Sequence, residues 1–202
     1  MNPPLIGVLA LQGAFSAHQR SLESIGATTR EVKLPRDLIG LDGLVMPGGE
    51  STTMSQLLLS SGLFAEIESL LSAGFPVMGT CAGLILLSTT VFDARPDQRT
   101  FAALDIGVRR NGYGRQIDSF ETDLGVTGLD EPLTAVFIRA PIIESVGPGV
   151  TVVASHDGVP VAVATSHILG AAFHPELVGD PRFHQLFLDI VTGNQLRHDT
   201  TK

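Results

Sequence analysis

The sequence has few of the residues on which several classes of protein depend. It contains one cysteine in 202 residues, so it cannot form an internal disulfide, and we expect a cytoplasmic protein. Lysine and arginine number 13 against 21 acidic residues, which gives a net charge of −8. Because no basic stripe is available to neutralise phosphates, we expect no nucleic-acid partner.

Long hydrophobic runs and metal-binding patterns are also missing. No apolar stretch reaches the length needed to cross a bilayer, and the N-terminus lacks the basic region and apolar core of a signal peptide. We therefore expect no contact with a membrane. The sequence has no His-x-x-x-His pattern and no cysteine cluster, so we expect no metal site, and no motif predicts a cofactor.

The overall composition is that of a compact globular protein. Hydrophobic residues make up 44% of the chain and charged residues 17%. The length fits one domain, and no stretch has the composition of a linker, so we predict a single domain over residues 1–202. Residues 194–202 are polar, and we expect them to form a frayed tail.

Strands and helices alternate along the first half of the chain. Apolar runs predict strands over residues 5–11, 28–34, 43–46 and 77–79. Helical patterns lie between them, starting with a capping box at Ser16, near Thr52, after Gly62 and after Cys81. This alternation predicts an α/β fold with three layers, in which helices cover both faces of a mostly parallel central sheet.

The second half is richer in strands. Four strand-like runs follow one another with no helix between them, over residues 134–138, 150–154, 159–165 and 168–173. We therefore predict antiparallel hairpins at an edge of the sheet. A last helix is predicted to run to about Val191, with Asp180 as its N-cap and Pro181 as its first residue.

The single cysteine lies in a pattern typical of a nucleophile. Gly79-Thr80-Cys81-Ala82-Gly83 separates a predicted strand from a predicted helix. In a nucleophile elbow, such a sharp turn exposes the reactive side chain, and it leaves no room for side chains two residues to either side. The backbone N–H groups at the helix start favour the thiolate. The alternative is a buried structural cysteine.

A base for this cysteine is predicted at His174-Pro175-Glu176, directly after the last predicted strand. Pro175 should hold His174 extended, so that Glu176 lies on the same side and reaches one imidazole nitrogen. The alternative is a structural histidine beside a solvated carboxylate. The other histidines lack both the proline and the carboxylate: His18, His156, His167, His184 and His198.

An acyl-transfer site also needs donors for the oxyanion. The backbone N–H of Ala82 is expected to be the first, because it directly follows the nucleophile. Gly48 and Gly49 are predicted to supply a second, since they lie in a loop between a strand and a helix. The same loop could instead bind phosphate or be a simple turn.

These motifs resemble those of the class I (triad) glutamine amidotransferases and, within that superfamily, the glutaminase subunits of pyridoxal 5′-phosphate synthases. The resemblance implies the superfamily's flavodoxin-like fold and extends over residues 9–177. The Cys81 and His174 motifs occur in many amidotransferases, and the remaining blocks are more specific. The resembling blocks are residues 9–14, 47–54, 79–83, 109–116, 137–141 and 173–177.

The resemblance implies a role for each site residue. Cys81 would be the nucleophile, His174 the base and Glu176 the residue that orients it. Arginine suits the glutamine α-carboxylate on independent grounds, because guanidinium binds carboxylate in a bidentate manner. The implied glutamine-binding residues are Gly49, Glu50, Ser51, Arg110, Ile138 and Arg139. Arg109 and Arg115 are left outside the site, as surface arginines.

The implied reaction is hydrolysis of L-glutamine through a cysteine thioester. Its ammonia would pass to a (β/α)8-barrel synthase subunit that makes pyridoxal 5′-phosphate from a pentose phosphate and a triose phosphate. The synthase would form a dodecameric core with one glutaminase per synthase subunit. The glutaminase would be weakly active until docking arranges its oxyanion loop.

Three alternatives stay open. The same chemistry could feed another biosynthetic acceptor, the enzyme could be a partner-independent γ-glutamyl peptide hydrolase, or the chain could be an assembly subunit with a vestigial site. Two segments depart from the family pattern. Ala17 stands where an acidic residue is expected before His18, and residues 92–103 match poorly, as a variable loop would.

Overall fold

The structure is a computed structural model that describes residues 2–110 and 119–194. The predicted tail from residue 195 onward and most of the resembling block 109–116 lie outside the described residues. The sheets are formed by β1 (Leu5–Leu9), β2 (Thr28–Val32), β3 (Gly43–Met46), β4 (Val77–Thr80), β5 (Ser88–Val91), β6 (Leu104–Arg109), β7 (Ser119–Leu124), β8 (Leu133–Ile138), β9 (Ile142–Val146), β10 (Thr151–His156), β11 (Val159–Ala164) and β12 (Ile168–Ala171). The helices are α1 (Phe15–Ser24), α2 (Ser51–Ser60), α3 (Leu63–Ser72), α4 (Ala82–Leu87) and α5 (Arg182–Val191).

The largest sheet has seven strands in the order β10-β11-β12-β4-β3-β1-β2. The five strands from β12 to β2 are parallel to their neighbours, whereas β10 and β11 add an antiparallel edge. The central parallel strands are apolar and almost fully buried, as expected for strands covered on both faces. The predicted α/β fold, with its mostly parallel sheet and antiparallel edge, is confirmed.

The strand order explains why helices cover both faces. The connection that leaves β1 leads to β2 at one edge of the sheet. The connection that leaves β3 leads to β4, towards the other edge. Because such crossovers are right-handed, their helices lie on opposite faces. The helix α1 packs on β1, β2 and α5, whereas α4 packs on β3, β4 and α2. This reversal opens a crevice at the carboxyl ends of the strands, where ligands bind in open α/β sheets.

The second half also contains two small sheets that the sequence patterns did not predict, although the strand predicted over residues 134–138 is present as β8 in one of them. One joins β5, β6 and β9, and the other is the hairpin of β7 and β8. In β7, half-buried and exposed residues alternate up to its last position, and β5 is only four residues long. β7 therefore has too few buried apolar residues, and β5 is too short, for the sequence pattern to predict a strand.

Two predicted helix starts are wrong in detail. The helix α1 begins at Phe15, with Ala14 at the N-cap position and no side-chain cap, so Ser16 lies inside the helix and forms no capping box. The helix α5 has Pro181 at its N-cap position. Asp180, predicted as the N-cap, still accepts a hydrogen bond from the backbone N–H of Arg182 at 3.0 Å. None of the helices within the described ranges has the length and apolar character needed to span a bilayer.

The start of α4 lies against the backbone of the neighbouring strand. A methyl group placed on Gly83 would come 2.1 Å from the carbonyl oxygen of Met46 in β3. A methyl group on Gly79 would lie 2.8 Å from the carbonyl carbon of Gly83. Both contacts are with backbone atoms that cannot rotate away. The two glycines that frame the predicted elbow therefore allow α4 to pack directly on β3 and β4.

We predict that Gly83→Ala lowers the free energy of unfolding by at least about 2 kcal/mol, because overpacking forces backbone shifts. Urea titration followed by circular dichroism measures this. Gly125→Ala is the matched control, since a methyl group there has no neighbour within 4 Å, and its stability should stay within about 0.5 kcal/mol. Equal stability of the two variants would contradict the close packing of α4.

Candidate active site

The predicted site residues come together at the carboxyl ends of the parallel strands. Gly48 follows β3, Cys81 follows β4 and His174 follows β12. Gly13, which was given no role in the sequence analysis, joins them after β1. They face a cavity of about 490 Å³. The other predicted residues that line this cavity are Gly49, Glu50, Ser51, Arg110, Ile138, Arg139 and Glu176. Ala82 does not line it but is the first residue of α4, so its N–H has no acceptor within the helix.

Cys81 occupies the sharp turn between β4 and α4. Its backbone has φ 49° and ψ −102°, a conformation that costs free energy for a residue with a side chain. The backbone is held from the neighbouring strand, because the Cys81 N–H donates to the carbonyl of Ala171 at 2.8 Å. The side chain is largely buried but reaches the cavity. This is the geometry predicted for a nucleophile elbow.

The His174 ring lies over Gly48 and next to Cys81. A methyl group on Gly48 would come 2.4 Å from Cε1 of His174 and 3.4 Å from Cβ of Cys81. Any side chain at this position would therefore displace the imidazole. The glycine that was predicted to act through its backbone thus also makes room for the base.

Glu176 contacts His174 as predicted, but not for the predicted reason. The His174 Nδ1 and Glu176 Oε1 atoms are 2.8 Å apart. Residues Pro175–Leu177 form a 3-10 turn rather than the extended chain on which the prediction relied. Because this turn folds back on itself, it brings the buried Glu176 carboxylate to Nδ1 of His174.

The charges of this pair depend on each other. Burial alone would lower the pKa of His174, but hydrogen bonds and charge interactions with Cys81 and Glu176 raise it to about 10. Burial alone would raise the pKa of Glu176, yet the hydrogen bond from His174 holds it below its ordinary value. At neutral pH the site therefore contains an imidazolium and a carboxylate.

Arg110 also lines the cavity and is held by two side chains. Its Nη1 donates to Oγ1 of Thr52 and to Oε1 of Gln98, each at 2.7 Å. Gln98 also donates to Oγ of Ser51 at 3.3 Å. The contact with Glu50 is longer, at 3.9 Å. These contacts fix the guanidinium beside the pocket residues of α2.

Glu50 caps α2 and keeps its charge over a wide pH range. Its carboxylate accepts hydrogen bonds from the N–H groups of Thr52 at 3.1 Å and Thr53 at 2.7 Å. Although burial opposes ionisation, a hydrogen bond from the Thr53 hydroxyl and these two N–H groups lower the pKa of Glu50 to about 2. The Glu50 N–H in turn donates to Oε1 of Gln12 at 3.2 Å. Gln12 therefore ties the loop after β1 to the loop that carries Gly48 and Gly49.

Ile138 and Arg139 reach the cavity from the end of β8. Arg139, like Cys81, is a non-glycine residue with a positive φ, here 43°. Both residues line the cavity. Such strain is common at functional sites. Arg109 pairs with Glu144 at the surface, in line with its expected place outside the site. Arg115 lies outside the described residues.

Sequence reasoning missed Gln98, Thr52 and Gln12 as residues that support the site. Gln98 belongs to the segment that was interpreted as a variable loop, yet it holds Arg110. Its partners on α2 are 46 and 47 residues away along the chain, so no local pattern signals the contact. Gln12 was part of a resembling block but was given no role.

The family comparison agrees with this geometry. Residues 8–192 match the model of the SNO glutamine amidotransferase family. The chain is 53% identical over 188 residues to "Pyridoxal 5′-phosphate synthase subunit PdxT" of Corynebacterium jeikeium (strain K411), covering 93% of this chain and 96% of the relative. It is 50% identical over 196 residues to the protein of the same name in Mycobacterium avium (strain 104), covering 96% and 99%.

Solved structures show the same architecture. A crystal structure of a glutamine amidotransferase superposes with a TM-score of 0.88 at 41% identity, covering 93% of this chain and 98% of the other. A putative GMP synthase protein from Thermoplasma acidophilum superposes with a TM-score of 0.67 at 19% identity, covering 95% and 96%. The second likeness concerns the fold alone.

We predict that Glu176→Gln lowers the pKa of His174 from about 10 by at least about one unit, because the amide carries no charge to stabilise the imidazolium. An NMR titration of protein labelled with carbon-13 at histidine Cε1 measures this, with His174→Asn assigning the signal. Glu144→Gln removes a surface carboxylate and should leave the titration unchanged. An unaltered His174 titration in Glu176→Gln would contradict the proposed charge coupling.

Proposed function

This chain belongs to the SNO glutamine amidotransferase family, and we propose that its cavity binds L-glutamine and hydrolyses the side-chain amide to glutamate and ammonia. Its role is that of the glutaminase subunit of pyridoxal 5′-phosphate synthase. The main observation behind this proposal is that Cys81, His174 and Glu176 lie next to one another in a row beside the cavity. A nucleophile, a base and a group that orients the base are the parts that acyl transfer requires.

The reaction would proceed in two steps. The Cys81 thiolate attacks the γ-carbonyl carbon of glutamine, and His174 protonates the departing nitrogen, so that ammonia leaves and a γ-glutamyl thioester forms. A water molecule then attacks the thioester while His174 accepts its proton, which releases glutamate and restores the Cys81 thiolate and the His174 imidazolium. The N–H groups of Ala82, Gly48 and Gly49 would stabilise the oxyanion of each tetrahedral intermediate.

The rim of the cavity suits the amino-acid end of glutamine. We assign the α-carboxylate to Arg110 and Arg139, because both line the cavity and guanidinium binds carboxylate well. Glu50 lines the same cavity and stays ionised, which favours a bound α-ammonium group. Gly49, Ser51 and Ile138 would complete the pocket around the aliphatic part of the substrate.

The ammonia would be used by a second protein. The relatives in Corynebacterium jeikeium and Mycobacterium avium are named as subunits of pyridoxal 5′-phosphate synthase, which supports a synthase partner here. We propose that this partner is a (β/α)8 barrel in a dodecameric core with one glutaminase per synthase subunit, and that it makes the cofactor from a pentose phosphate and a triose phosphate. We also propose a cytoplasmic location, which the lone cysteine supports.

We predict that the purified chain hydrolyses glutamine slowly alone and at least about tenfold faster with the synthase subunit, because docking completes the oxyanion site. Glutamate release measures the activity. Cys81→Ala should abolish it in both conditions, since no other cysteine is present.

Each contrary result has its own meaning. Equal activity with and without the synthase would favour a γ-glutamyl peptide hydrolase. If glutamine hydrolysis is activated instead by the synthase subunit of a different pathway, the ammonia serves another acceptor. No hydrolysis in either condition would refute the glutaminase assignment, and activity in Cys81→Ala would remove this residue from the mechanism.

We predict that Gln98→Leu raises KM for glutamine about three- to tenfold with kcat within about twofold. The substitution frees Arg110 from one of its two short hydrogen bonds, which weakens ground-state binding more than chemistry. Steady-state kinetics of the complex measure both constants. Gln185→Leu, on the exposed side of α5, is the control. An unchanged KM in Gln98→Leu would show that Gln98 does not position Arg110.

A further inference from the structure

Behind the Cys81–His174–Glu176 row lies a buried pair of histidines that have no role in the two-step reaction. His18 comes from α1 and His184 from α5, and both side chains are fully buried. His18 Nε2 is 3.4 Å from Oε2 of Glu176. His18 Nδ1 is 2.9 Å from Nε2 of His184. The described residues contain no cluster of ligands arranged to hold a metal ion, so the pair needs another explanation.

The two oxygens of the Glu176 carboxylate face different histidines. Its Oε1 contacts His174 at 2.8 Å. Its Oε2 is buried, and no described residue hydrogen-bonds to it in good geometry. The ring nitrogen that faces Oε2 is His18 Nε2, which also lies 3.3 Å from Oγ1 of Thr80. Because hydrogen bonds in active sites often tighten only when substrate binds, this arrangement places a donor where the carboxylate lacks one.

The contact between the two histidines determines which nitrogen carries the proton. If His184 Nε2 donates to His18 Nδ1, the His18 proton lies on Nε2 and faces Glu176. In the reverse arrangement, a lone pair of His18 would face the carboxylate. The N–H at Nδ1 of His184 would then be buried, where no described residue accepts it. Unpaired buried donors are costly, so the first arrangement is favoured.

Both histidines are neutral at physiological pH, which this arrangement requires. Burial, opposed by the nearby Glu176 charge and reinforced by His174, lowers the pKa of His18 to about 4. Burial and His18 lower the pKa of His184 to about 3, against the influence of Glu176. A charged His18 would compete with His174 for the carboxylate. As a neutral donor, it orients Glu176 and leaves the negative charge available to the imidazolium.

We propose that His18 is a positioning residue that holds the Glu176 carboxylate from behind, and that His184 acts through it by fixing its tautomer. The inference rests on the proposed glutaminase reaction, because the orientation of Glu176 matters through His174. With the two histidines included, the row consists of five side chains from four parts of the fold: Cys81, His174, Glu176, His18 and His184.

The test substitutes each histidine and measures glutamine hydrolysis in the complex with the synthase subunit. His18→Leu should lower kcat about tenfold with KM within about twofold, because Glu176 would lose the donor that faces its second oxygen. His18→Gln retains an N–H donor and should restore kcat to within about threefold. His184→Leu should lower kcat less, and His18→Leu/His184→Leu should match His18→Leu alone, because the pair acts as a unit.

A second readout requires no glutamine. The pH dependence of Cys81 alkylation by iodoacetamide reports the deprotonation of His174, whose pKa is raised in part by Glu176. If Glu176 loses its orientation, that pKa falls, so the alkaline transition should move to lower pH in His18→Leu and return in His18→Gln. His167→Leu, at a half-buried histidine outside the site, should change neither readout.

The outcomes separate the possibilities. An unchanged kcat and an unmoved alkaline transition in His18→Leu would overturn the proposal. Equal losses in His18→Leu and His18→Gln with no shift of the transition would also overturn it, because they would indicate a purely structural role. If His18→Leu does not fold, His184→Leu decides by the same criteria. If the unsubstituted complex hydrolyses no glutamine, the proposed function fails, while the alkylation profile still tests the positioning.

Discussion

The structure depends on a steric constraint at the start of α4. Gly83 lies so close to the carbonyl of Met46 that a single methyl group would collide with the backbone of β3. This contact, together with the hydrogen bond from Cys81 to Ala171, holds the strained turn in place between two strands. A second glycine, Gly48, leaves room for the His174 ring over the same turn. Close backbone packing therefore fixes Cys81 and His174, the proposed nucleophile and base, relative to each other.

Electrostatics then decides what these fixed groups can do. One buried carboxylate, Glu176, has His174 on one side and His18 on the other. Burial disfavours charge on all three histidines of the cluster, but only His174 also contacts Cys81, and only its pKa is raised. The positive charge is thus confined to the histidine that faces the cavity. The same burial that makes charge costly on His18 and His184 leaves it on His174, the proposed proton donor.

Much of this could be predicted from local sequence patterns. Alternating apolar runs and helices predicted the parallel sheet, and the glycines around Cys81 predicted the elbow, because each feature depends on residues close together in the chain. The support of the site could not be predicted in this way. His18 and His184 are 166 residues apart, and Gln98 holds Arg110 from a segment without any periodic pattern. Such contacts arise from the strand order, which brings distant loops to one edge of the sheet.

The site therefore consists of two parts with different physical character. Cys81, His174 and Glu176 are held by backbone packing and buried hydrogen bonds, whereas the rim is more open, with Ile138 and Leu177 exposed to 38% and 47%. The proposed synthase partner could reach this rim but not the buried histidines. Its binding energy would then act on the glycine loop and on the end of β8, where Arg139 already carries backbone strain. The proposed base, His174, and the Glu176 carboxylate would keep their positions, because they are joined by a hydrogen bond and Glu176 is buried.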